Sequence, residues 1–329
     1  MSALAPTMQS FFTDRLQTQR QASPNTIAAY RDTFRLLLTF AEQQLGKTPS
    51  QLHVDDLDAR LITSFLGHLE HERSNSTSTR NARLAAIRSL FNYAALRHPE
   101  HADTIAHVLA IPPKRGPQTI VTYLSDEEIN ALLAAPDRER WTGRRDHALL
   151  LTMIQTGLRV SELTGLRRAH ITLTTGPHLH CHGKGRKQRV TPLTRQTAQV
   201  LRVWQQERAG NPDDPLFATS RGSRLSRDAV AWLLAKHVAT AAHACASLNA
   251  KTISPHTLRH TAAMRLLHAD IDITIIALWL GHESTQTTQI YLHADLALKE
   301  RALARTAPPN TTPGRYRPPD QLLAFLESL

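Results

Sequence analysis

Two segments of the sequence place cationic side chains at turns and helix starts. In TGLRVSEL, residues 156–163, the glycine permits a sharp helix exit and puts Arg159 in the turn that follows. In SPHTLRHTAA, residues 254–263, the proline starts a helix, and His256 and Arg259 lie three positions apart on one helix face. Such a histidine–arginine pair and a turn-borne arginine are suited to binding a phosphate group. Taken alone, the Arg159 segment is more often typical of a surface arginine paired with a carboxylate.

Two further segments carry a lysine, a histidine and a tyrosine. HCHGKGRKQRV, residues 180–190, has a Gly-Lys-Gly tip between strand-like stretches, which predicts that Lys184 projects from a hairpin. LGHESTQTTQIY, residues 280–291, has a glycine that ends a helix, then His282 in a loop and Tyr291 on the next helix. Singly, these are typical of a solvated loop, a capping or core histidine and a packing tyrosine.

The spacing of histidine and cysteine argues against a metal site. His180, Cys181 and His182 are consecutive in a predicted strand and point to alternating faces, and no second ligand pair accompanies them. Cys181 and Cys245 form no C-x-x-C pair, and the N-terminus lacks the apolar core of a signal peptide. The richest apolar run, residues 271–280, is too short to span a bilayer. We therefore expect no metal, no other cofactor, no membrane insertion and a cytoplasmic location.

Charge is unevenly distributed along the chain. Lysine and arginine total 39 against 28 acidic residues, for a net charge of +11. Residues 1–110 contain 11 basic and 10 acidic side chains, so the excess lies in the remaining two thirds. This excess favours a polyanionic partner, with nucleic acid as the first candidate, but charge alone is also compatible with a basic surface that binds nothing specific.

The apolar pattern predicts a mainly α fold with a small antiparallel β-sheet. Helical spacing through residues 27–38 and 84–91 predicts four or five helices in the first hundred residues, with Ser23 as an N-cap. The proline-rich segment IPPKRGPQ, residues 111–118, predicts an extended connection. Ser125 and Glu128 then form a capping box that opens a helix of a second domain.

The second domain is predicted to mix helices with three short strands. Alternating segments bounded by glycines predict strands at 171–173, 179–181 and 189–193. Further helices are predicted at 145–156, 195–208, 226–246, 256–268 and 273–280. The predicted domains are therefore a helical domain at 1–110, a linker at 111–122, a mixed domain at 123–297 and a tail at 298–329.

The four cationic segments, in this order, closely resemble the tyrosine recombinases, or phage integrase family, and in particular its Xer-like bacterial members. The resemblance covers residues 123–295, whereas the N-terminal domain matches only in layout, like the family's SAM-like core-binding domain. It implies a site-specific recombinase or integrase that cleaves and rejoins DNA. The reactive residues that it implies are Arg159, Lys184, His256, Arg259, His282 and Tyr291.

The resemblance also implies a mechanism without metal or ATP. Tyr291 attacks a DNA phosphate and forms a covalent 3′-phosphotyrosyl bond, and Lys184 gives a proton to the leaving 5′-oxygen. Glu162 orients one of the reactive side chains, and His260 is a candidate for a similar role. Residues expected to contact DNA are Arg186 and Lys187 on the hairpin, Arg80, Arg83 and Arg88 on one N-terminal helix, and Lys114 and Arg115 in the linker.

The implied partners are double-stranded DNA and other recombinase subunits. Cutting two duplexes twice calls for a tetramer, either of this chain or with related recombinases. The apolar end of the tail, residues 321–329, is expected to dock either on a neighbouring subunit or on its own domain. The tail also faintly resembles integrases of bacterial transposable elements.

Two other functions stay open at this point. One is a DNA-binding regulator that keeps the fold but does not cut. The other is a type IB topoisomerase-like enzyme that relaxes supercoils. Base readout depends on side-chain geometry, so spacing does not specify the DNA site. Nor does it separate integration from excision, resolution or transposition.

Overall fold

The computed structural model describes residues 2–116, 121–183, 188–207, 210–282, 288, 289 and 291. The chain divides into two compact units, Met1–Thr119 and Ile120–Leu329. Each unit has its own hydrophobic core and is described by itself. The predicted tail, 298–329, and the tip of the predicted hairpin, 184–187, lie outside the described residues.

Five α-helices build the described part of the first unit. They are α1 (Leu4–Ser10), α2 (Pro24–Leu45), α3 (Ala59–His71), α4 (Thr77–Ala95) and α5 (Ala102–Ala110), with a π-helical stretch, Phe11–Gln19, directly after α1. The Ser23 hydroxyl accepts a hydrogen bond from the Thr26 backbone N–H at 3.2 Å, which confirms the predicted N-cap of α2. The helices pack around an aromatic core in which Phe11 contacts Phe34 and Tyr93 edge to face.

The second unit combines seven α-helices with a three-stranded sheet among the described residues. The helices are α6 (Asp126–Ala134), α7 (Trp141–Thr156), α8 (Val160–Thr164), α9 (Arg195–Gln206), α10 (Arg227–Ala242), α11 (Pro255–His268) and α12 (Ile273–Leu280). The strands are β1 (Ile171–Thr172), β2 (His178–His182) and β3 (Gln188–Pro192), in the order β1-β2-β3 and antiparallel throughout. This architecture confirms the predicted fold class.

Helix α7 runs through the middle of the second unit. It packs against both α9 and α11, and its leucines Leu149 and Leu150 are fully buried. The helix begins at Trp141, four residues earlier than predicted, because the indole of Trp141 packs on Trp204 with the ring centroids 5.3 Å apart. This tertiary contact extends the helix beyond the stretch that its own apolar spacing marks.

The C-terminal end of α7 is fixed by a glycine in the left-handed region. Gly157 has φ +62° and donates its N–H to the carbonyl of Met153 at 2.9 Å. A Cβ at this position would lie 2.6 Å from Leu280 Cδ2 and 3.1 Å from Ala262 Cβ. Glycine is therefore required twice here, for its backbone conformation and for the close approach of α11 and α12.

Replacing Gly157 by alanine should lower the stability of the second unit. The left-handed conformation alone costs about 1–2 kcal/mol for an alanine, and overpacking against Leu280 and Ala262 should add about 1–3 kcal/mol. All four tryptophans lie in this unit, so urea unfolding followed by tryptophan fluorescence reports on it.

Gly176 provides the matched control, since it has φ +67° and nothing within 4 Å of the Cβ position. The Gly176→Ala variant should show only the backbone penalty. Equal losses of unfolding free energy in the two variants would contradict the packing that we assign to Gly157.

Candidate active site

A buried carboxylate links two arginines from different parts of the second unit. Arg159, the residue before α8, donates Nη1–H to Glu162 Oε1 at 2.9 Å and its backbone N–H to Oε2 at 2.8 Å. Arg189 on β3 donates Nη1–H to Oε1 at 3.0 Å and Nη2–H to Oε2 at 2.8 Å. Burial acts to raise the pKa of Glu162, but the hydrogen bonds and charges of Arg189 and Arg159 lower it overall. The carboxylate therefore stays ionised and holds both guanidinium groups.

Arg259, on α11, lies beside this network and is itself 5 % exposed. Its Nη1 donates to the Gly157 carbonyl at 2.6 Å and its Nη2 to the Leu280 carbonyl at 2.7 Å. Burial and the neighbouring charge of Arg159 lower the pKa of Arg259 to about 10. The guanidinium is still protonated at neutral pH, and two helix-end carbonyls fix its position.

The end of α12 completes the arginine site. Arg159 Nη2 donates to the Gly281 carbonyl at 3.1 Å, next to the Leu280 carbonyl that binds Arg259. Gly281 has φ +64°, and a Cβ there would lie 2.6 Å from Arg189 Nη1. The negative end of the helix dipole thus faces the arginines, and the absence of a side chain on Gly281 makes room for one of them.

Tyr291 is buried against two histidines, with 1 % of its surface exposed. Its hydroxyl lies 3.0 Å from His260 Nδ1, and its ring stacks on His282 with centroids 6.5 Å apart and planes at 13°. His282 Nδ1 in turn hydrogen-bonds the Thr288 hydroxyl at 2.7 Å. Burial raises the pKa of Tyr291, while the charges of Arg259 and Arg159 act to lower it.

His282 is neutral at physiological pH. Burial, followed by the charges of Arg259, Arg159 and Arg189, lowers the pKa of its imidazole to about 4. A neutral imidazole can donate through one ring nitrogen while the other accepts. With Nδ1 on Thr288, this leaves Nε2 as the nitrogen that can face a substrate.

The remaining reactive residues predicted from the sequence differ in placement. His256 lies on α11 one turn before His260 and is exposed. Its charge helps lower the pKa of His260, after burial, so the two imidazoles are electrostatically close. Lys184, Arg186 and Lys187 lie outside the described residues.

Arg189 is the residue in this network that the sequence analysis missed. Its position beside the basic hairpin tip is typical of a solvated residue, whereas its side chain is only 13 % exposed and turns inward to Glu162. Its strand partner is the buried Cys181. A basic residue at an inward position of a short strand is the signal that could have identified it.

In the first unit, three of the five predicted DNA contacts bind groups of their own domain. Arg80 Nη1 donates to the Pro112 carbonyl at 3.3 Å, and Arg88 Nη2 donates to the carbonyls of Leu109 and Ile111. These arginines therefore hold the chain that leaves α5. Lys114 forms an ion pair with Glu70 at 3.0 Å, Arg83 is half-buried and Arg115 is exposed. Contact of these five residues with DNA stays a prediction.

The first unit also has an open cavity with a basic wall. Arg15, Arg20 and Arg97 line it together with Arg88 and Tyr93. The Arg97 guanidinium lies 3.8 Å above the centre of the Tyr93 ring. Only Arg88 of these arginines was singled out in the sequence, because the others lie in two separate segments, residues 15–20 and the turn that contains Arg97.

Neither a metal cluster nor a membrane span is found among the described residues. No three histidine, cysteine or acidic side chains of the described chain come together in a way that can hold a metal ion. Burial raises the pKa of the Cys181 thiol to about 11, which disfavours the thiolate form that binds metals. Among the described helices, none combines the length and apolar character needed to cross a membrane.

The low pKa of His282 should make the second unit less stable in mild acid. Between the ordinary value of 6.5 and the folded value of about 4, the unfolded chain binds a proton that the folded site does not. Stability should therefore fall as pH decreases through this window. Over this pH range, the free energy of unfolding of His282→Gln should fall less than that of wild type, as measured by urea unfolding with tryptophan fluorescence.

His243, exposed at the end of α10, provides the control. His243→Gln should keep the pH dependence of wild type. An unchanged pH dependence in His282→Gln would contradict a neutral, buried imidazole at residue 282.

Comparison with known protein families gives two matches that together span most of the chain. The phage integrase family matches residues 122–297, and the N-terminal SAM-like domain of phage integrases matches residues 10–98. The first match alone covers more than half of the chain.

Relatives that align over most of their length are also integrases or recombinases. The chain is 53% identical over 328 residues to the putative integrase/recombinase y4rC of Sinorhizobium fredii, covering 100% of this chain and 99% of the relative. A second protein of that organism, the putative integrase/recombinase y4rD, is 40% identical and covers 78% of this chain and 92% of its own length. The tyrosine recombinase XerC of Pelobacter propionicus is 36% identical, covering 91% of this chain and 94% of the relative.

Solved structures share the fold. XerH recombinase bound to its difH substrate in a post-cleavage complex superposes with a TM-score of 0.69 at 22% identity, covering 87% of this chain and 81% of that one. The Tn1549 transposon integrase in complex with circular intermediate DNA superposes with a TM-score of 0.66 at 17% identity, covering 93% of this chain and 100% of that one. With these matches and the arrangement of Arg159, Arg259 and Tyr291, the chain belongs to the phage integrase family of tyrosine recombinases, the DNA-cleaving and rejoining enzymes of site-specific recombination, and is of the Xer-like type.

Proposed function

We propose that this recombinase cleaves and rejoins DNA through a covalent 3′-phosphotyrosyl bond made by Tyr291, without metal or ATP. One observation carries the proposal. Three segments that are far apart in the sequence bring His260 and His282 against a single buried tyrosine, with Arg159 and Arg259 close enough for their charges to act on its hydroxyl. A phenol surrounded by cationic and imidazole donors is suited to attack on a phosphodiester.

The two arginines are arranged to bind the nonbridging oxygens of the scissile phosphate. A guanidinium has five N–H donors, and the described hydrogen bonds of Arg259 use two of them, both to backbone carbonyls. Arg159 is fixed in a similar way by Glu162 and Gly281. Donors that are already fixed need no reorganisation as charge accumulates on phosphorus-bound oxygens, so each can stabilise the transition state by about 3 kcal/mol.

Attack by Tyr291 requires its proton to leave. A free tyrosine has a pKa of about 10, and burial raises that of Tyr291 further. Arg259 and Arg159 act against this effect and favour the phenolate. When a phosphate enters, the same two arginines lie close both to its oxygens and to the Tyr291 oxygen that forms the bond to phosphorus.

Lys184, His256 and His282 complete the proposed chemistry. Lys184 protonates the leaving 5′-oxygen from the hairpin, as the family resemblance implies. His282, neutral and held through Nδ1, donates a hydrogen bond from Nε2 to the phosphate. His256, exposed on the same helix as Arg259, binds the phosphate from the solvent side. The phosphotyrosyl ester keeps the energy of the broken bond, so a 5′-hydroxyl can reverse the step.

The proposed partners are double-stranded DNA and other recombinase subunits. Solved neighbours of the same fold include recombinases bound to DNA and a lambda integrase dimer on a core site. We infer a tetramer on paired sites, formed by this chain alone or with a related recombinase. The occurrence of two similar putative recombinases in Sinorhizobium fredii supports the second arrangement. Because the DNA substrate of a bacterial recombinase lies in the cytoplasm, we place the enzyme there.

Tyr291→Phe should abolish covalent attachment to DNA and leave DNA affinity nearly unchanged. The single hydroxyl is the nucleophile, whereas affinity depends mainly on many salt-dependent phosphate contacts. A nicked suicide substrate that carries the recombination site, identified from the DNA flanking the gene, should trap a wild-type adduct that survives SDS.

Tyr123→Phe is the matched control, because Tyr123 is a half-buried tyrosine of the same unit outside the site. It should form the adduct like wild type. Wild-type protein that binds this DNA without forming adduct would indicate a non-cleaving DNA-binding protein. Adduct formed by Tyr291→Phe would assign the nucleophile elsewhere.

Arg189→Ala should slow DNA cleavage about 10- to 100-fold. Without the two hydrogen bonds from Arg189, the Glu162 carboxylate is no longer fixed and cannot hold Arg159 in place. DNA affinity should change little, since Arg189 is largely buried. Single-turnover cleavage and a gel-shift titration measure the two effects.

Arg195→Ala, at the exposed start of α9, is the control for loss of one positive charge. It should cleave at the wild-type rate. An Arg189→Ala enzyme that also cleaves at the wild-type rate would show that the carboxylate network does not position Arg159.

A further inference from the structure

His260 makes a contact that the chemistry described so far leaves unused. It follows Arg259 on α11, yet the two side chains reach different targets. Arg259 turns to the backbone carbonyls of Gly157 and Leu280, whereas His260 places Nδ1 3.0 Å from the Tyr291 hydroxyl. The distance is that of a normal hydrogen bond to the atom that attacks phosphorus.

The imidazole of His260 is in the form that can accept this proton. Burial, followed by the charges of His256 and Arg259, lowers the pKa of His260. A neutral imidazole has one nitrogen with a lone pair, and the tyrosine hydroxyl has one proton to donate. With its own proton on Nε2, His260 presents the Nδ1 lone pair to Tyr291.

The other described groups around Tyr291 are less suited to take the proton. Arg159 and Arg259 are donors only. The ring of His282 lies parallel to that of Tyr291 with the centroids 6.5 Å apart, and its Nδ1 is bonded to the Thr288 hydroxyl. His256 is exposed on the preceding helical turn. His260 is the group whose hydrogen bond reaches the hydroxyl itself.

We propose that His260 is a catalytic residue that accepts the Tyr291 proton during cleavage and returns it during rejoining. The inference rests on the proposed function of Tyr291. In cleavage, the O–H bond of Tyr291 breaks and an N–H bond forms at His260 Nδ1. The tyrosine oxygen bonds to phosphorus, the bond from phosphorus to the 5′-oxygen breaks, and that oxygen takes a proton from Lys184. Rejoining reverses each transfer.

The surroundings favour both directions of this exchange. During attack, the negative charge that forms on the tyrosine oxygen is next to Arg159 and Arg259, which stabilise it. The imidazolium formed at His260 then lies among positive charges, because Arg259 and His256 are close to it. This repulsion makes the imidazolium a stronger acid than a free one, which favours return of the proton when the 5′-hydroxyl attacks the phosphotyrosyl bond.

The test combines His260→Ala with a more acidic tyrosine. General base catalysis typically contributes about 10²- to 10⁴-fold, so His260→Ala should slow single-turnover cleavage of the suicide substrate at least about 100-fold. Replacing Tyr291 by a difluorotyrosine, whose phenol loses its proton far more easily, removes the need for a base. In that background, His260→Ala should slow cleavage by less than about tenfold. An equal loss in both backgrounds would show a structural role and overturn the proposal.

His260→Asn separates position from proton transfer. The asparagine side chain keeps an oxygen acceptor near the hydroxyl but is not basic. It should fold and bind DNA like wild type and still cleave about 100-fold more slowly, with the same recovery by difluorotyrosine. Wild-type cleavage by His260→Asn or by His260→Ala would contradict the assignment. The exposed His243→Ala is the control and should cleave normally.

A substrate with sulfur in place of the bridging 5′-oxygen distinguishes protonation of the leaving group from removal of the Tyr291 proton. Sulfur leaves without a proton, so this substrate should rescue Lys184→Ala but not His260→Ala. Rescue of His260→Ala would place His260 on the leaving-group side and overturn the proposal. Absence of adduct with wild-type protein on a verified site would instead refute the role of Tyr291.

Discussion

Holding two arginines next to each other in a buried site is the constraint on which the rest of this structure depends. Arg159 and Arg259 repel one another, and the lowered pKa of Arg259, about 10, reflects burial and that repulsion. The site compensates with the ionised carboxylate of Glu162 and with three backbone carbonyls, those of Gly157, Leu280 and Gly281. In the proposed function, an incoming phosphate adds the negative charge that offsets these arginines.

Helix ends supply most of this compensation. Helices α7 and α12 both end in a glycine with left-handed φ, Gly157 and Gly281, and the carbonyls at these ends accept hydrogen bonds from the guanidinium groups. The close packing of Gly157 on Leu280 brings the two helix ends together. The contacts that close the second unit therefore also position the arginines that we propose to bind phosphate, which couples stability to the proposed chemistry.

The fold was largely predictable from local signals in the sequence. Ser23 and Ser125 marked helix starts that the structure confirms, and alternating polarity marked the three strands. Helix limits that depend on tertiary contacts were not predictable. The start of α7 is an example, since Trp141 becomes helical by packing on Trp204, which is 63 residues further along the chain.

The candidate site was only partly predictable. The sequence motifs, through the family that they resemble, indicated Arg159, Arg259, His282 and Tyr291, which the structure brings together. The partner of His260 was not predictable, because helical spacing gives the face of a side chain but not the atom that it reaches. The inward turn of Arg189 was missed for a similar reason, since a basic residue on a hairpin is most often solvated.

We propose above all that Arg159 and Arg259 bind one DNA phosphate while the Tyr291 hydroxyl lies in line for attack on its phosphorus. A crystal structure of the enzyme on a nicked recombination site with orthovanadate, which mimics the pentacoordinate phosphate of the transition state, tests it most directly. We expect a bond from vanadium to the Tyr291 oxygen and hydrogen bonds from Arg159 and Arg259 to the equatorial oxygens. Vanadate bound at the nick with Tyr291 remote from it, or without either arginine, would contradict the proposed geometry.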